Sequence, residues 1–411
     1  MPVAAPADRS AHPWVYLLLI LPFGGTSGFL TVALTYQLKQ GGVDDGAIAA
    51  LVALSYLPHT WKVLWAPLVD STLTRRRWYL AAAVVCAASL WGTGLAASPV
   101  KGQVAMGWLT TLVLLSNTAI TFLAMSVESL MAAATPDELK GRAAGWFQAG
   151  NLGGMGLGGG LCLWLMQSQQ WSTGASAALL AGLGLACSAG LLFVHEPPAT
   201  QRYASLLANA RALGAGLWGL VRSRVGALAV LICFLPIGSG AAQNLWSVVA
   251  GDWQADADTV ALVNGALGGL VSAAGCLAGG WVCDRIDRRI AYCGFGALLA
   301  GCAAGMALSP HTAAAFVAWT SLYAFIVGLL YAGYSAVVLE AIGRQAAATK
   351  YNLLASLSNM PIAYMTWFNG WLSERWGPNR MLLGEAAVGV LGLLLFGVAA
   401  AASRRPAKPT Q

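Results

Sequence analysis

Two short stretches of sequence, 214 residues apart, decide the fold. One reads Asp70-Ser71-Thr72-Leu73-Thr74-Arg75-Arg76-Arg77 and the other reads Asp284-Arg285-Ile286-Asp287-Arg288-Arg289. Each stretch follows one long apolar run and precedes another. A second pair has the same spacing, since Leu21-Pro22-Phe23-Gly24 returns as Leu235-Pro236-Ile237-Gly238. Such parallel repeats predict two halves of equal architecture, related by an axis along the membrane normal.

The composition places these halves in a membrane. The 411 residues are 58% hydrophobic and 9% charged, whereas about a quarter of the residues of an ordinary soluble domain are charged. Apolar runs long enough to cross a bilayer recur along the whole chain. We predict an all-α membrane protein with twelve spans, near residues 14–38, 46–69, 77–98, 104–131, 142–167, 174–195, 225–250, 258–283, 289–309, 312–342, 350–373 and 379–402.

The loops between the spans predict the domain organisation and the orientation. The longest connection, residues 196–224, predicts a cytoplasmic linker between an N-terminal six-helix bundle (1–195) and a C-terminal one (225–411). Loops and ends on one side of the predicted topology hold 18 Lys and Arg residues, and the other side holds 4. Because basic loops stay in the cytoplasm, we expect both termini there, in a bacterial inner membrane. The net charge of +7 then reflects topology, and no nucleic-acid partner is expected.

The sequence offers no constellation for cofactor or metal chemistry. The eight cysteines and four histidines do not have the spacing of metal ligands. The glycine run at 153–160 lacks the Lys-Ser/Thr of a phosphate-binding loop and lies inside a span, so it predicts close helix packing. We therefore expect no enzyme, cofactor or metal. The expected partners are lipid, protons and a small-molecule substrate, with a monomeric chain.

Two motifs carry a family resemblance. The loop Gly280–Arg289 resembles the signature loop of the major facilitator superfamily. The stretch Lys62-Val63-Leu64-Trp65-Ala66-Pro67-Leu68-Val69-Asp70 resembles the Lys-x-Leu-Trp-Ala/Ser-Pro-Leu-x-Asp pattern of AmpG-type muropeptide permeases and acetyl-CoA transporters. Those families carry a Gln-Asp pair early in helix 4 and an acid four residues later. This chain reads Leu123-Ala124-Met125-Ser126-Val127-Glu128 there and keeps only the later acid.

Ionisable residues inside spans are the candidates for ion coupling, because they are costly in a bilayer and tend to be functional. Lys62 precedes Asp70 by eight residues and Glu128 precedes Pro136 by eight. Both therefore lie about 12 Å from the same end of their helices, and an ion pair is feasible. It either exchanges a proton or locks the bundle as a static pair. Glu340 is a shallower candidate that can instead pair with Arg344.

Two further groups of candidates follow from the repeat. The loop residues are expected to cap and bridge neighbouring helix ends and to govern a conformational switch; they are Asp70, Arg75, Arg76, Asp284, Arg285 and Arg288. The glycine-rich first helix of each half is expected to line a central cavity, with freed backbone groups that meet a ligand. The candidate substrate contacts are Gln243, Asn244, Thr26, Tyr36, Tyr331, Tyr334 and Asn359.

These features favour a secondary active transporter that works by alternating access. The leading hypothesis is a proton-coupled importer of a medium-sized polar solute, such as a muropeptide or a siderophore-like molecule. A drug or metabolite exporter of the same fold and a membrane sensor that moves no solute remain the alternatives.

The charge distribution gives a direct test of topology. Single cysteines placed in residues 196–224 of a cysteine-free variant should react with impermeant maleimides only when the cytoplasmic side is accessible. The control is a single cysteine at Gly102, in a loop predicted on the opposite face. Labelling of the 196–224 positions in intact cells would overturn the orientation.

Overall fold

The computed structural model describes residues 12–97, 104–196, 214–215, 218–219, 221–342 and 347–402. Within these ranges the chain is helical and contains no strand. Seven of the described helices are long and apolar enough to cross a membrane, and shorter pieces build the remaining crossings. The predicted helical membrane fold is confirmed.

The first half contains six crossings, labelled α1 to α6. They are α1 (Trp14–Gln40), α2 (the pieces Asp45–Ser55, Leu57–Trp61, Lys62–Leu64 and Ala66–Ser71), α3 (Arg75–Ala96), α4 (Met106–Ala134), α5 (Lys140–Ser168) and α6 (Thr173–Phe193). The pieces of α2 follow from its prolines, because Pro58 and Pro67 each lack an N–H and begin new helical turns.

The second half repeats this order as α7 to α12. They are α7 (Arg224–Ile232, Ala241–Leu245, Trp246–Val249 and Ala250–Trp253), α8 (Ala257–Asn264 and Ala266–Cys283), α9 (Arg288–Ala307), α10 (Ala313–Ile342), and α11 with α12 (together Ala347–Ala402). Gly377, with a φ of 80°, divides the last two. Glycine tolerates this left-handed conformation, so the chain turns there without an intervening loop.

The structure differs from the sequence expectation most at α7. A single span was expected over 225–250, but the helix stops at Ile232 and resumes as short pieces from Ala241. Pro236 cannot donate a helical hydrogen bond. Gly238 and Gly240 adopt φ values of 59° and 68°, which end a right-handed helix. The linker prediction falls mostly on residues outside the described ranges, although Arg224 already belongs to α7.

Glycines on α5 allow helices to approach closely on two sides. Within the first half, a Cβ atom on Gly154 would lie 2.8 Å from the Leu21 carbonyl oxygen of α1. Toward the second half, a Cβ atom on Gly145 would lie 2.6 Å from the Cys276 carbonyl oxygen of α8. Both distances are shorter than real contacts allow, so larger residues would force the helices apart. The close packing predicted for the glycine run is confirmed, and α5 with α8 forms a tight contact between the halves.

Candidate functional site

A buried ion pair lies between α2 and α4. The Lys62 Nζ is 3.8 Å from Glu128 Oε1, and Glu128 is only 3% exposed. The ion pair that the matched depths made feasible is therefore present. Lys62 begins the short 3-10 turn of α2, so the break in this helix fixes where the ammonium group lies.

The second half completes the environment of Glu128. Asn352 of α11 donates a hydrogen bond of 2.7 Å from its Nδ2 to Glu128 Oε2, and Asn352 is fully buried. One carboxylate oxygen thus faces a cation of its own half and the other faces an amide of the opposite half. Tyr351, also on α11, is a further titratable group whose electrostatic environment includes Glu128. Any change in the charge of Glu128 is therefore felt at the interface between the halves.

Two side-chain contacts fix α2 against α4 around this pair. His59 Nε2 is 2.9 Å from Asn117 Oδ1, and Trp65 donates from Nε1 to Thr121 Oγ1 at 3.1 Å. Because Asn117 Nδ2 already donates to the Val113 carbonyl, the Asn117 oxygen faces the histidine and His59 acts as the donor. Together with the ion pair, these contacts make α2 and α4 one rigid surface.

A second polar contact crosses between the halves without any charge. Gln148 of α5 donates from Nε2 to Ser335 Oγ of α10 at 2.7 Å. Tyr351 donates to the same serine oxygen at 3.0 Å, and its ring lies edge-on to Phe147 at 6.2 Å. Tyr351 and Asn352 are adjacent on α11, so this network and the Glu128 contact respond together to movement of that helix.

The two repeated aspartates close one end of the molecule in matching ways. Asp284, at the end of α8, accepts hydrogen bonds from the Gly141 and Arg142 amides at 2.7 and 3.1 Å, where α5 begins. Asp70, near the end of α2, accepts from the Ala348 and Thr349 amides at 3.2 and 2.9 Å, where α11 begins. Each carboxylate caps a helix of the opposite half, where the helix dipole favours negative charge. This end, which carries Asp70, Asp284 and the arginine loops, is called the basic end below.

The arginines of the basic end make distinct contacts. Arg75 donates from Nε to Ser129 Oγ at 2.8 Å and lies 3.7 Å from Glu196. Arg76 donates to the carbonyls of Leu191 and Val194. Arg285 stacks on the Trp281 ring at 3.6 Å. These three thus tie elements within their own halves.

Arg288 bonds across the halves, since it donates to the Asp137 carbonyl, and Arg142 does so as well, from Nε to Asp284 at 2.7 Å. Arg288 also pairs with Glu340 at 3.1 Å, and Arg289 approaches the same carboxylate at 3.5 Å. Glu340, a sequence candidate for coupling, therefore lies at the basic end with two guanidinium partners. Its alternative partner, Arg344, lies outside the described residues.

Three candidate substrate contacts meet beside the break in α7. A cavity of about 80 Å³ is lined by Tyr331, Tyr334 and Asn359, together with Gly238 and Ser239 of α7. The Tyr334 hydroxyl donates to the Leu354 carbonyl at 2.6 Å. Tyr331 also packs against a small buried cluster with members from both halves, Ala149 of the first and Cys276 of the second. The cavity has room for one polar group.

The other cavity candidates are dispersed. Asn244 is exposed and donates from Nδ2 to Thr366 Oγ1 of α11 at 2.9 Å, and Gln243 is half-buried beside it. Thr26 instead contacts Cys86 Sγ at 3.6 Å and lines a separate apolar cavity inside the first half. Tyr36 is half-buried in the last turns of α1. The structure thus does not bring Thr26 together with Tyr331, Tyr334 and Asn359.

The sequence reasoning missed the groups that join the halves. Asn352, Gln148 and Ser335 were not selected, although each is a polar residue inside a predicted apolar span. What distinguishes these three residues is that they are buried between helices, and a sequence pattern does not show this because burial depends on which helices pack against each other. A rule that treats every amide within a span as a candidate would have found Asn352 and Gln148.

Two related six-helix halves, joined by buried polar contacts and by paired caps at one end, define a multi-pass membrane transporter. The chain belongs to the Major Facilitator Superfamily, whose family model matches residues 14–363.

Its sequence is 26% identical over 399 aligned residues to the anhydromuropeptide permease of Escherichia coli K12, an alignment covering 92% of this chain and 76% of the permease. Among solved structures, the fold resembles the human organic anion transporter MFSD10 (TM-score 0.72, 16% identity, 95% of this chain and 100% of that one). It also resembles the E. coli fucose:proton symporter FucP (TM-score 0.69, 13% identity, 94% and 98%).

The matching caps lead to a prediction about the switch. Asp70→Asn or Asp284→Asn should slow transport about tenfold, because a charge-assisted hydrogen bond is worth more than one made by a neutral amide. Equilibrium substrate binding should stay within twofold, since neither residue lines the cavity at the α7 break. Initial uptake rates and binding isotherms measure the two effects separately. A loss of affinity equal to the loss of rate would place these aspartates in the substrate site.

Proposed function

We propose that this chain is a proton-coupled importer of a medium-sized polar solute, working by alternating access, and that Glu128 carries the coupled proton. The observation that carries the proposal is the position of Glu128, which contacts Lys62 of its own half and Asn352 of the opposite half. The fold and family already assign secondary transport of a solute. The coupling ion, the direction and the substrate are the new elements.

The charge of Glu128 is linked to the interface by simple electrostatics. A charged carboxylate attracts the Lys62 ammonium and accepts a strong hydrogen bond from Asn352. Protonation removes the attraction to Lys62 and weakens the bond to Asn352. Asn352 lies five residues into α11, one turn past the helix end that Asp70 caps. A weaker hydrogen bond between Asn352 and Glu128 therefore favours separation of the halves at the basic end.

This arrangement gives a transport cycle with a defined order. In the structure, the basic end is closed by the Asp70 and Asp284 caps and by the α5–α8 contact. With the basic end in the cytoplasm, protons reach Glu128 from the periplasmic side. Protonation then favours opening of the basic end, and the proton leaves to the cytoplasm together with the solute. The ion pair between Lys62 and Glu128 forms again when the basic end closes.

The nature of the substrate follows from chemistry and from the relative. The cavity beside the α7 break presents two phenol groups and an amide, which suit hydroxyl and amide groups of a solute. The sequence relative named above is an anhydromuropeptide permease, so an anhydromuropeptide is the first substrate to test. A multi-pass chain of this type is expected in the bacterial inner membrane as a monomer, with both termini in the cytoplasm.

The coupling role of Glu128 can be tested in proteoliposomes. Glu128→Gln should abolish uphill accumulation driven by an imposed pH gradient, yet keep downhill exchange of labelled substrate within about threefold. The amide fills the same space and can still accept from Asn352, but it cannot bind and release a proton. The measurement is accumulation and counterflow of a radiolabelled anhydromuropeptide in the same vesicles.

The matched controls separate coupling from a static pair. If Lys62 and Glu128 only lock the bundle, each single neutral variant should lower the melting temperature, and Lys62→Met with Glu128→Gln together should restore both stability and pH-driven uptake. Full pH-driven accumulation by a well-folded Glu128→Gln protein would end the coupling role. Failure of every labelled muropeptide to exchange would overturn only the choice of substrate.

A further inference from the structure

A second acid is buried in the membrane region, away from Glu128. Glu385 of α12 is 5% exposed, and among the described residues it has no cationic partner. Its place in the last helix, a type that usually lies at the periphery of such bundles, favours a structural role when the sequence is considered alone. A buried carboxylate without a cation costs several kcal/mol unless its charge is removed or compensated. The surroundings of Glu385 must therefore either compensate its charge or keep it protonated.

Hydrogen-bond donors from three helices surround this carboxyl group, among them the Ala242 backbone amide of α7. Tyr323 of α10 approaches Oε1 at 2.6 Å, and Ser239 of α7 approaches the same oxygen at 3.5 Å. Asn369 of α11 donates from Nδ2 to Oε2 at 3.0 Å. The remaining titratable neighbour is the Cys302 thiol of α9. No group in this set carries a positive charge, and all are neutral at physiological pH.

Asn369 supplies a second, independent sign of a ligand. This residue is fully buried, and its Oδ1 atom has no hydrogen-bond partner. The amide oxygen is a buried acceptor without a hydrogen-bond donor, and the neighbouring carboxylate is a buried charge without a cation; both are energetically unfavourable. A cation bound between the two groups would satisfy both. It is either a proton on the Glu385 carboxyl group, which Asn369 Oδ1 accepts once the side-chain amide has rotated by about 180°, or a metal ion that oxygens of both residues coordinate.

The break in α7 makes room for such a cation. Residues 233–240 leave the helix, with Gly238 and Gly240 in the left-handed region, so carbonyl oxygens there are not committed to helical bonds. A cavity of about 10 Å³ adjoins Glu385, lined by Pro236, Gly238 and Ser239. This volume is about that of one water molecule or small ion. Unwound helices in transporters offer backbone oxygens to Na⁺ or H⁺ in this manner.

We propose that Glu385, Tyr323, Ser239 and Asn369 form an exchangeable site for a small monovalent cation, H⁺ or Na⁺, in the second half. Occupancy joins α7, α10, α11 and α12 around the break in α7, so the cation controls the shape of the adjoining Tyr331–Tyr334 cavity. The site is distinct from Glu128, which takes its partners from α2 and α11.

The test measures cation binding by thermal stability, without substrate. The purified chain, carrying Glu128→Gln to silence the other acid, is melted in two series. One varies NaCl against choline chloride at fixed pH, and the other varies pH in choline chloride alone. The melting temperature should rise with Na⁺ in the first series if Na⁺ is the ligand, or change with pH in the second if the proton is. Glu385→Gln should abolish that response, and Glu374→Gln, the same change at an exposed position of α11, should retain it.

A second variant keeps the test decisive if Glu385→Gln fails to fold. Tyr323→Phe retains the ring but removes the hydroxyl group. If Na⁺ binds, loss of this ligand should move the midpoint to higher Na⁺ by about tenfold. If a proton binds, loss of a donor to the carboxylate should move the midpoint to higher pH by about one unit. A melting temperature that responds to neither series, or a midpoint unchanged in both Glu385→Gln and Tyr323→Phe, would overturn the site.

Discussion

The contact of Glu128 with Lys62 on one side and Asn352 on the other is the constraint on which the rest of the molecule depends. A charge buried in a membrane protein must be paired or removed, and here its two partners belong to different halves. The pairing is therefore complete only while α11 lies against α2 and α4. In the proposed cycle, a change of charge at this carboxyl group therefore accompanies a rearrangement of the two six-helix bundles.

The surrounding architecture gives that event two discrete outcomes. Glycines of α5 and α8 bring their backbones so close that intermediate separations would leave gaps rather than looser contacts. The Asp70 and Asp284 caps bond to helix ends of the opposite half, and such bonds are either made or lost. In contrast, contacts of His59 and Trp65 hold α2 and α4 together within the first half. Rigid halves with an all-or-none interface are what alternating access requires.

Most of the fold, but less of the site, could be predicted from the sequence. Apolar runs and the 214-residue repeat predicted the helices and the two halves, because span length and loop charge follow directly from the bilayer. The matched depth of Lys62 and Glu128 showed for the same reason that their pairing was feasible. Asn352 was missed because a sequence indicates how deep a residue lies in the bilayer but not which neighbouring helix its side chain faces. Asn359, a candidate from the same helix, lies two turns away at the α7 break. A break in the first helix of each half was expected from its glycines and proline; the structure has this break in α7 but not in α1, which is helical throughout Trp14–Gln40.

The most direct measurement of the central claim is the separation of the two halves at the basic end as a function of pH. Spin labels at Leu73 and Ile286, exposed loop positions of the first and second half, report that distance by pulsed electron paramagnetic resonance in a cysteine-free background. We predict a single short distance at high pH, a growing longer population as the pH falls, and in Glu128→Gln a mixture that includes the longer distance and does not change with pH. A distance distribution that ignores pH, or that is the same in Glu128→Gln as in the parent protein, would contradict the coupling of this carboxyl group to the movement of the halves.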